Sequence, residues 1–178
     1  MTFLIENISV LVVIVPLMSA PICVIVRNGN FAWAWATIVA FITFALSVMM
    51  LGHVMESGTI LYKMGNWDAP WGIVYRVDPL GAFVIVIVSA IAAVVFPYAK
   101  QSIEKEIPKE RHYLVYCMLL LCMAGLIGMA VTGDAFNLFV FLEVSSLSTY
   151  VLISLGNDRR ALTASLRYLI LGTLGATF

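Results

Sequence analysis

Between Phe139 and Gly156 the chain reads FVFLEVSSLSTYVLISLG. The stretch is apolar enough to lie in lipid, and as a helix it is close to the roughly 20 residues that span a bilayer. Yet it holds a carboxylate, Glu143, and a run of hydroxyls, Ser145, Ser146, Ser148 and Thr149. An ionised side chain at the centre of a membrane helix costs roughly 2.5–3.5 kcal/mol on insertion scales. That cost is tolerated where the residue faces a protein interior or water.

The rest of the sequence agrees with a membrane setting. Of 178 residues, 62% are hydrophobic and 11% charged, where a soluble domain carries about a quarter charged residues. Mean hydropathy is +1.03. Ten basic and ten acidic residues cancel, so no net field draws nucleic acid. The odd number of cysteines (Cys23, Cys117, Cys122), all in apolar runs without a C-x-x-C spacing, reads as small buried hydrophobes rather than a disulfide or metal framework. The N-terminus has no basic region and no cleavage site, so the first apolar run stays in the chain as a membrane helix.

The fold class that follows is an all-α integral membrane protein of about six transmembrane helices. Five segments have the required length: about Asn7 to Val26, with Pro16 and Pro21 expected to bend it, Phe31 to Gly52, Pro79 to Ala99, Tyr113 to Val131 and Ala135 to Leu155. A sixth runs from Ala161 to Phe178, at the lower limit for a span. Nothing polar follows it, so the chain is expected to be a fragment cut inside a helix. Asp78-Pro79 is a helix start, a side-chain cap followed by proline in the first turn. Asn28-Gly29 reads as a tight turn. In the longest connection, residues 53–78, Thr59 to Met64 and Ile73 to Val77 read as two strands around a turn at Gly65 to Pro70. Helices four and five, joined through Thr132-Gly133-Asp134, should pack as an antiparallel pair. Two parts are expected: residues 1–112, with three helices and the hairpin loop 53–78, and residues 113–178.

Basic residues set the expected orientation. Arg27, the connector KQSIEKEIPKERH (Lys100 to His112), and Arg159 and Arg160 fall in alternate loops; the opposite loops hold only Lys63 and Arg76. The N-terminus is therefore expected outside, with loops around 27–30, 100–112 and 156–160 cytoplasmic. Trp33, Trp35, Tyr98 and Tyr113 then lie near the cytoplasmic interface.

Residues three or four apart share a helix face, so Ser146 and, one turn on, Tyr150 extend a polar track from Glu143, broadened by Ser145, Ser148 and Thr149. A carboxylate with hydroxyls and room for water is the material of a proton path. The alternative is a protonated structural glutamate bonded to a neighbouring helix. Arg167, about two turns into the sixth segment, is either a snorkelling surface arginine or a fixed charge beside the path; it cannot itself carry the proton. Gly125 and Gly128, and Gly172, Gly175 and Ala176, read as close-packing surfaces. Asp134 reads as a turn residue or cap, and His53, His112, Asp68 and Asp78 as loop or helix-end residues with little case for a metal. No phosphate loop or nucleophile elbow is present. No covalent catalysis, cofactor or metal is expected.

Thr132 to Gly156, TGDAFNLFVFLEVSSLSTYVLISLG, resembles helix five of the antiporter-like subunits, whose signature is an in-membrane glutamate. RRALTASLRYLILGTLGATF, from Arg159, resembles the start of their next helix, and YKMGNWDAPWGIVYRVDPLGAF, Tyr62 to Phe83, their outer hairpin and third-helix start. The resemblance is to the D-type subunits of Mrp-type cation/proton antiporters, and more distantly to the proton-pumping membrane subunits of complex I and of membrane-bound hydrogenases. It implies an N-terminal helix group followed by inverted repeats around a midplane site, of which this chain holds the opening part. It also implies that Glu143 pairs with a lysine beyond Phe178. Many members carry a lysine on helix six, where this chain has Arg167.

The expected function is a proton-translocating subunit of the cell membrane that exchanges protons for a monovalent cation, sodium being the expected one, among other membrane subunits. The rivals are a proton-pumping subunit of a redox-driven complex and a non-transporting structural fragment. In none of these is the chain itself an enzyme.

Overall fold

The computed structural model describes residues 7–67 and 71–177, without the side chains of Asn66 and Ala176. Its elements are α1 (Ile8–Val26), α2 (Gly29–Ser57), β1 (Ile60–Lys63), a 3-10 turn (Met64–Asn66), β2 (Val74–Val77), α3 (Pro79–Glu106), α4 (His112–Val131), α5 (Ala135–Ser154) and α6 (Arg159–Thr177). Five of the helices, α1 to α5, are long and apolar enough to cross a membrane. The chain is a multi-pass membrane protein. α6 is not among the five; three arginines lower its hydropathy.

Side-chain caps set the helix starts. Asp78 accepts from Gly81 N at 2.7 Å, with Pro79 at the first helical position. Asp134 accepts from Phe136 N at 3.3 Å and Asn137 N at 3.4 Å, which makes it the cap of α5. Asn28 does the same for α2, accepting from Asn30 N and Phe31 N. The turn between α1 and α2 is thus made by Arg27, in the left-handed region (φ 52°), and the capping Asn28; Gly29 is already helical. Such caps stabilise a helix by about 1 kcal/mol.

Two helices run further than the sequence suggests. α2 passes Gly52 and stops at Gly58, whose φ of 83° suits glycine alone. α3 continues beyond Ala99 through the charged segment to Glu106. Lysine, glutamate and glutamine are good helix formers, and the helix ends only before Pro108, which disfavours helical backbone at Ile107. Both exceed the membrane core: 28 residues rise about 42 Å against about 30 Å of hydrocarbon. Pro16, Pro21 and Pro97 all lie inside helices. His112, the first residue of α4, donates through Nε2 to the carbonyl of Ile107 at 2.8 Å and so ties the end of α3 to α4.

The two strands pair antiparallel, Ile60 opposite Val77 and Lys63 opposite Val74, within a residue of the expected bounds. Of the turn between them, residues 68–70, including Asp68, lie outside the described residues. Phe178 does too.

α4 is the centre of the bundle, packed by α1, α2, α3 and α5; α2 also packs on α3 and α1, and α6 on α5. Ala32, Ala36 and Ala40, spaced one turn apart on α2, have no exposed surface, and small side chains let neighbouring backbones approach. Between α2 and α3, Ser47 and Ser89 meet Oγ to Oγ at 2.7 Å, both fully buried. Between α4 and α5, Gly125 and Gly128 form a notch. A Cβ at 125 would press on the backbone of Ser145 (2.7 Å) and on the Phe141 carbonyl (2.9 Å), and one at 128 would overlap the Phe141 ring.

Phe141 is itself enclosed, so it cannot yield. Gly128→Val should destabilise the full-length protein by about 1–3 kcal/mol through overpacking. Gly52→Ala, with open space around residue 52, should be neutral or slightly stabilising. Unfolding in mixed micelles compares the two; equal stability of Gly128→Val and wild type would contradict the tight α4–α5 seam.

Candidate functional site

The face of α5 that meets α4 carries Asn137, Phe141, Ser145 and Ser148, all buried. Steps of 100° per residue put Glu143 about 160° around the helix from Ser145, on the far side. It is partly buried there, beside Ser146 and in line with Tyr150. Among the described residues the Glu143 side chain makes no hydrogen bond or ion pair. Its neighbours on that face, Phe139, Val140 and Leu147, are 40–45% exposed. The carboxylate therefore stands on an open side of the bundle, at mid-helix, within a span.

α6 covers the other end of this face. Ser165 Oγ donates to the Tyr150 carbonyl at 2.7 Å. The Tyr150 ring stacks on Tyr168, centroids 6.5 Å apart, and its hydroxyl lies where a side chain at Gly172 would be. The two helices fold back on each other with Ser165 level with Tyr150. Tyr150 therefore contacts α6 at Ser165, Tyr168 and Gly172, nearly two turns of that helix. The Tyr150 hydroxyl thus lies in the α5–α6 seam, against Gly172.

The other hydroxyls do not share this face. Thr149 Oγ1 donates to the Ser145 carbonyl at 2.9 Å and Ser148 Oγ to that of Val144 at 2.6 Å, the usual one-turn-back bonds of membrane helices. Ser145 and Thr149 also approach Cys122 Sγ of α4, at 3.7 and 3.5 Å. Cys122 is therefore a partly buried polar contact as well as a packing residue. Arg167 is exposed and lines an open cavity with Arg159, Arg160, Thr163 and Ala164. It is two residues, about 200°, from Ser165, and so faces away from α5. The structure gathers Glu143, Ser146 and Tyr150 and leaves Thr149 and Arg167 apart. Among the described residues no group of three or more His, Cys, Asp or Glu side chains could hold a metal.

Sequence reading missed a second cluster, at the hairpin end. Tyr75 of β2 is 3% exposed. Its ring meets Phe141 of α5 with centroids 6.5 Å apart and planes at 52°, and Asn137 stands beside its hydroxyl. Asn137 Nδ2 also donates to Thr132 Oγ1 at 3.0 Å. Only the alternation of β2, with Tyr75 and Val77 inward and Arg76 outward, marks Tyr75 in the sequence; its partners are more than fifty residues away.

No family profile matches the chain. Curated proteins do. Over 97% of its length it is 37% identical to the N-type subunit of NADH-quinone oxidoreductase from Desulforudis audaxviator, of which it covers 34%. Over 74% of its length it is 35% identical to the D-type subunit of the Na(+)/H(+) antiporter from Alkalihalophilus pseudofirmus, of which it covers 26%. The chain is a relative of the antiporter-like subunits of Mrp antiporters and NADH-quinone oxidoreductases. It spans about a third of their length or less. Two solved structures share its fold: the membrane-bound sulfane sulfur reductase, an archaeal respiratory membrane complex (TM-score 0.87, 24% identity, 96% of this chain and 35% of that one), and the Mrp complex from Dietzia sp. DQ12-45-1b (TM-score 0.82, 21% identity, 98% and 32%).

Burial raises the Tyr75 hydroxyl above its ordinary range, with the neighbouring Asn137 side chain opposing. An unfolded chain then releases that proton before the folded one does, so the hairpin end loses stability as pH rises past about 10. Amide exchange of β1 and β2 should quicken there in the wild type and less in Tyr75→Phe; identical pH dependence would contradict the buried, neutral hydroxyl.

Proposed function

We propose that this chain is part of a proton-translocating, antiporter-like subunit that exchanges protons for a monovalent cation, sodium being the first to test, within a multisubunit complex of the cell membrane. The observation that carries the reading is Glu143, a carboxylate at the middle of an apolar helix, partly buried and without a partner among the described residues. Keeping a charge there costs roughly 2.5–3.5 kcal/mol, and an intramembrane acid is a functional group by default.

The chemistry is one of alternating charge. A cationic side chain brought close to a carboxylate favours the ionised form, and its withdrawal into low dielectric favours the protonated one. A lysine from outside this chain would reach Glu143 through the open face of α5. Proton release or uptake then follows the movement of that charge. Ser146 and Tyr150 continue the polar track towards the α5–α6 loop. Thr149 acts at most indirectly, through Cys122, and Arg167 as a fixed charge at the far side of α6. In this reading the N-terminus lies outside. The end of the bundle with Arg27, the charged extension of α3 and Arg159–Arg160 lies in the cytoplasm, as the excess of positive charge there favours.

A relative that carries the name of a Na(+)/H(+) antiporter supports cation exchange. One that carries the name of an NADH-quinone oxidoreductase supports a second reading, a proton-pumping subunit of a redox-driven complex. Iron–sulfur proteins that co-purify with the full-length protein would select the second.

Glu143→Gln in the full-length protein, reconstituted in vesicles, should reduce cation-dependent proton movement at least about tenfold, as expected for loss of an essential proton carrier. Transport at the wild-type rate would overturn the assignment. Thr149→Val should stay within about twofold, because that hydroxyl mostly returns to its own helix.

A further inference from the structure

Phe141 and Glu143 lie two residues apart on α5, about 200° around its axis. Whatever fixes the azimuth of the ring fixes the direction of the carboxylate. Phe141 is 8% exposed. From α4 the ring is held by the space that Gly128 leaves. From the other side it is held by Tyr75 of the hairpin, 3% exposed, ring to ring at 6.5 Å. One turn earlier, Asn137 donates to Thr132 Oγ1 at 3.0 Å, at the corner where Tyr75 and Thr132 pair. The strand is itself bonded to the α4–α5 corner: Gly133 N donates to the Val74 carbonyl at 3.0 Å, and Tyr75 and Thr132 form a bridge. The hairpin thus holds α5 at Phe141 and at the corner that precedes it, Thr132 and Gly133, on the side opposite Glu143. The Glu143 side has no matching restraint at that level, with Phe139 and Val140 open.

We infer that the two-stranded hairpin is a clamp on the Glu143 helix, and that Tyr75 is a positioning residue whose ring sets the rotation of α5 and with it the direction of the carboxylate. The consequence for transport rests on the reading of Glu143 given above; the clamp itself does not. The ring is the working part, since it makes the contact with Phe141.

The test uses the full-length protein in its membrane and dicyclohexylcarbodiimide, an apolar probe that reacts with protonated carboxyls in apolar surroundings. Labelling of Glu143 is followed by peptide mass spectrometry at one pH, with amide exchange of α1 to α3 as the check that the bundle is intact. Tyr75→Leu, which removes the ring, should change the labelling rate at least about threefold through local loosening, while Tyr75→Phe stays within about twofold of wild type. Gly133→Ala supplies an independent variant. Its methyl would press on Arg76 Cβ at 3.0 Å and the Val74 carbonyl at 3.2 Å, pushing the strand away from the corner by a few tenths of an ångström with Tyr75 intact, and it should shift labelling in the same direction as Tyr75→Leu. Wild-type labelling in both Tyr75→Leu and Gly133→Ala overturns the clamp. An equal change in Tyr75→Phe and Tyr75→Leu overturns the role of the ring. Normal transport by Glu143→Gln would remove the transport reading and leave the labelling result standing.

Discussion

The α4–α5 contact rests on a notch without side chains. Gly125 and Gly128 let α5 approach until its backbone at Ser145 and the Phe141 ring fill the space that two Cβ atoms would take. Lipid tails are as apolar as leucine, so no hydrophobic gain drives two membrane helices together; close packing does. That closeness orders the rest of this half of the molecule. It turns the hydroxyls of Ser145 and Ser148 inward, sends Glu143 to the opposite side, and leaves Phe141 where the hairpin ring can reach it. The hairpin and the notch act on one aromatic side chain from two directions.

Glu143 has an open face because the bundle is one-sided there. α4 is enclosed by four helices, whereas α5 has α4 behind it and α6 over only part of its front. The relatives of this chain are about three times as long or more. A face lined by Phe139, Val140 and Leu147 with a carboxylate in its middle is costly against lipid, because the apolar side chains suit hydrocarbon and the acid does not.

Much of the fold was legible in the sequence because the signals were local. Hydropathy located all five spans, Asp78-Pro79 marked the start of α3, and the composition either side of the turn at Gly65 to Pro70 gave strands within a residue of their bounds. The helix ends were less legible. Gly52 looked like a stop but has helical backbone and open space, and the charged run after Ala99 looked like a loop although its residues favour helix. Water-soluble composition and helical conformation are independent, and hydropathy reports only the first. At the site, 3.6-residue periodicity put Ser146 and Tyr150 beside Glu143. It could not say that Ser148 and Thr149 would spend their hydroxyls on their own helix, nor that Arg167 would face away from α5. It was silent on Tyr75 and Phe141, because contact between a strand and a distant helix leaves no periodic trace.

The continuation of α3 to Glu106 changes what its connector is. A loop would let α3 and α4 slide past one another. Here α3 itself continues for about two turns past Ala99 as a helical post, and Ile107 at its tip is pinned to the first residue of α4 by His112. Lys100, at the foot of the post, rests 4.3 Å from the Trp33 ring of α2. The charged end of α3 is thus tied to both α2 and α4, so a displacement of that end is shared with the central helix.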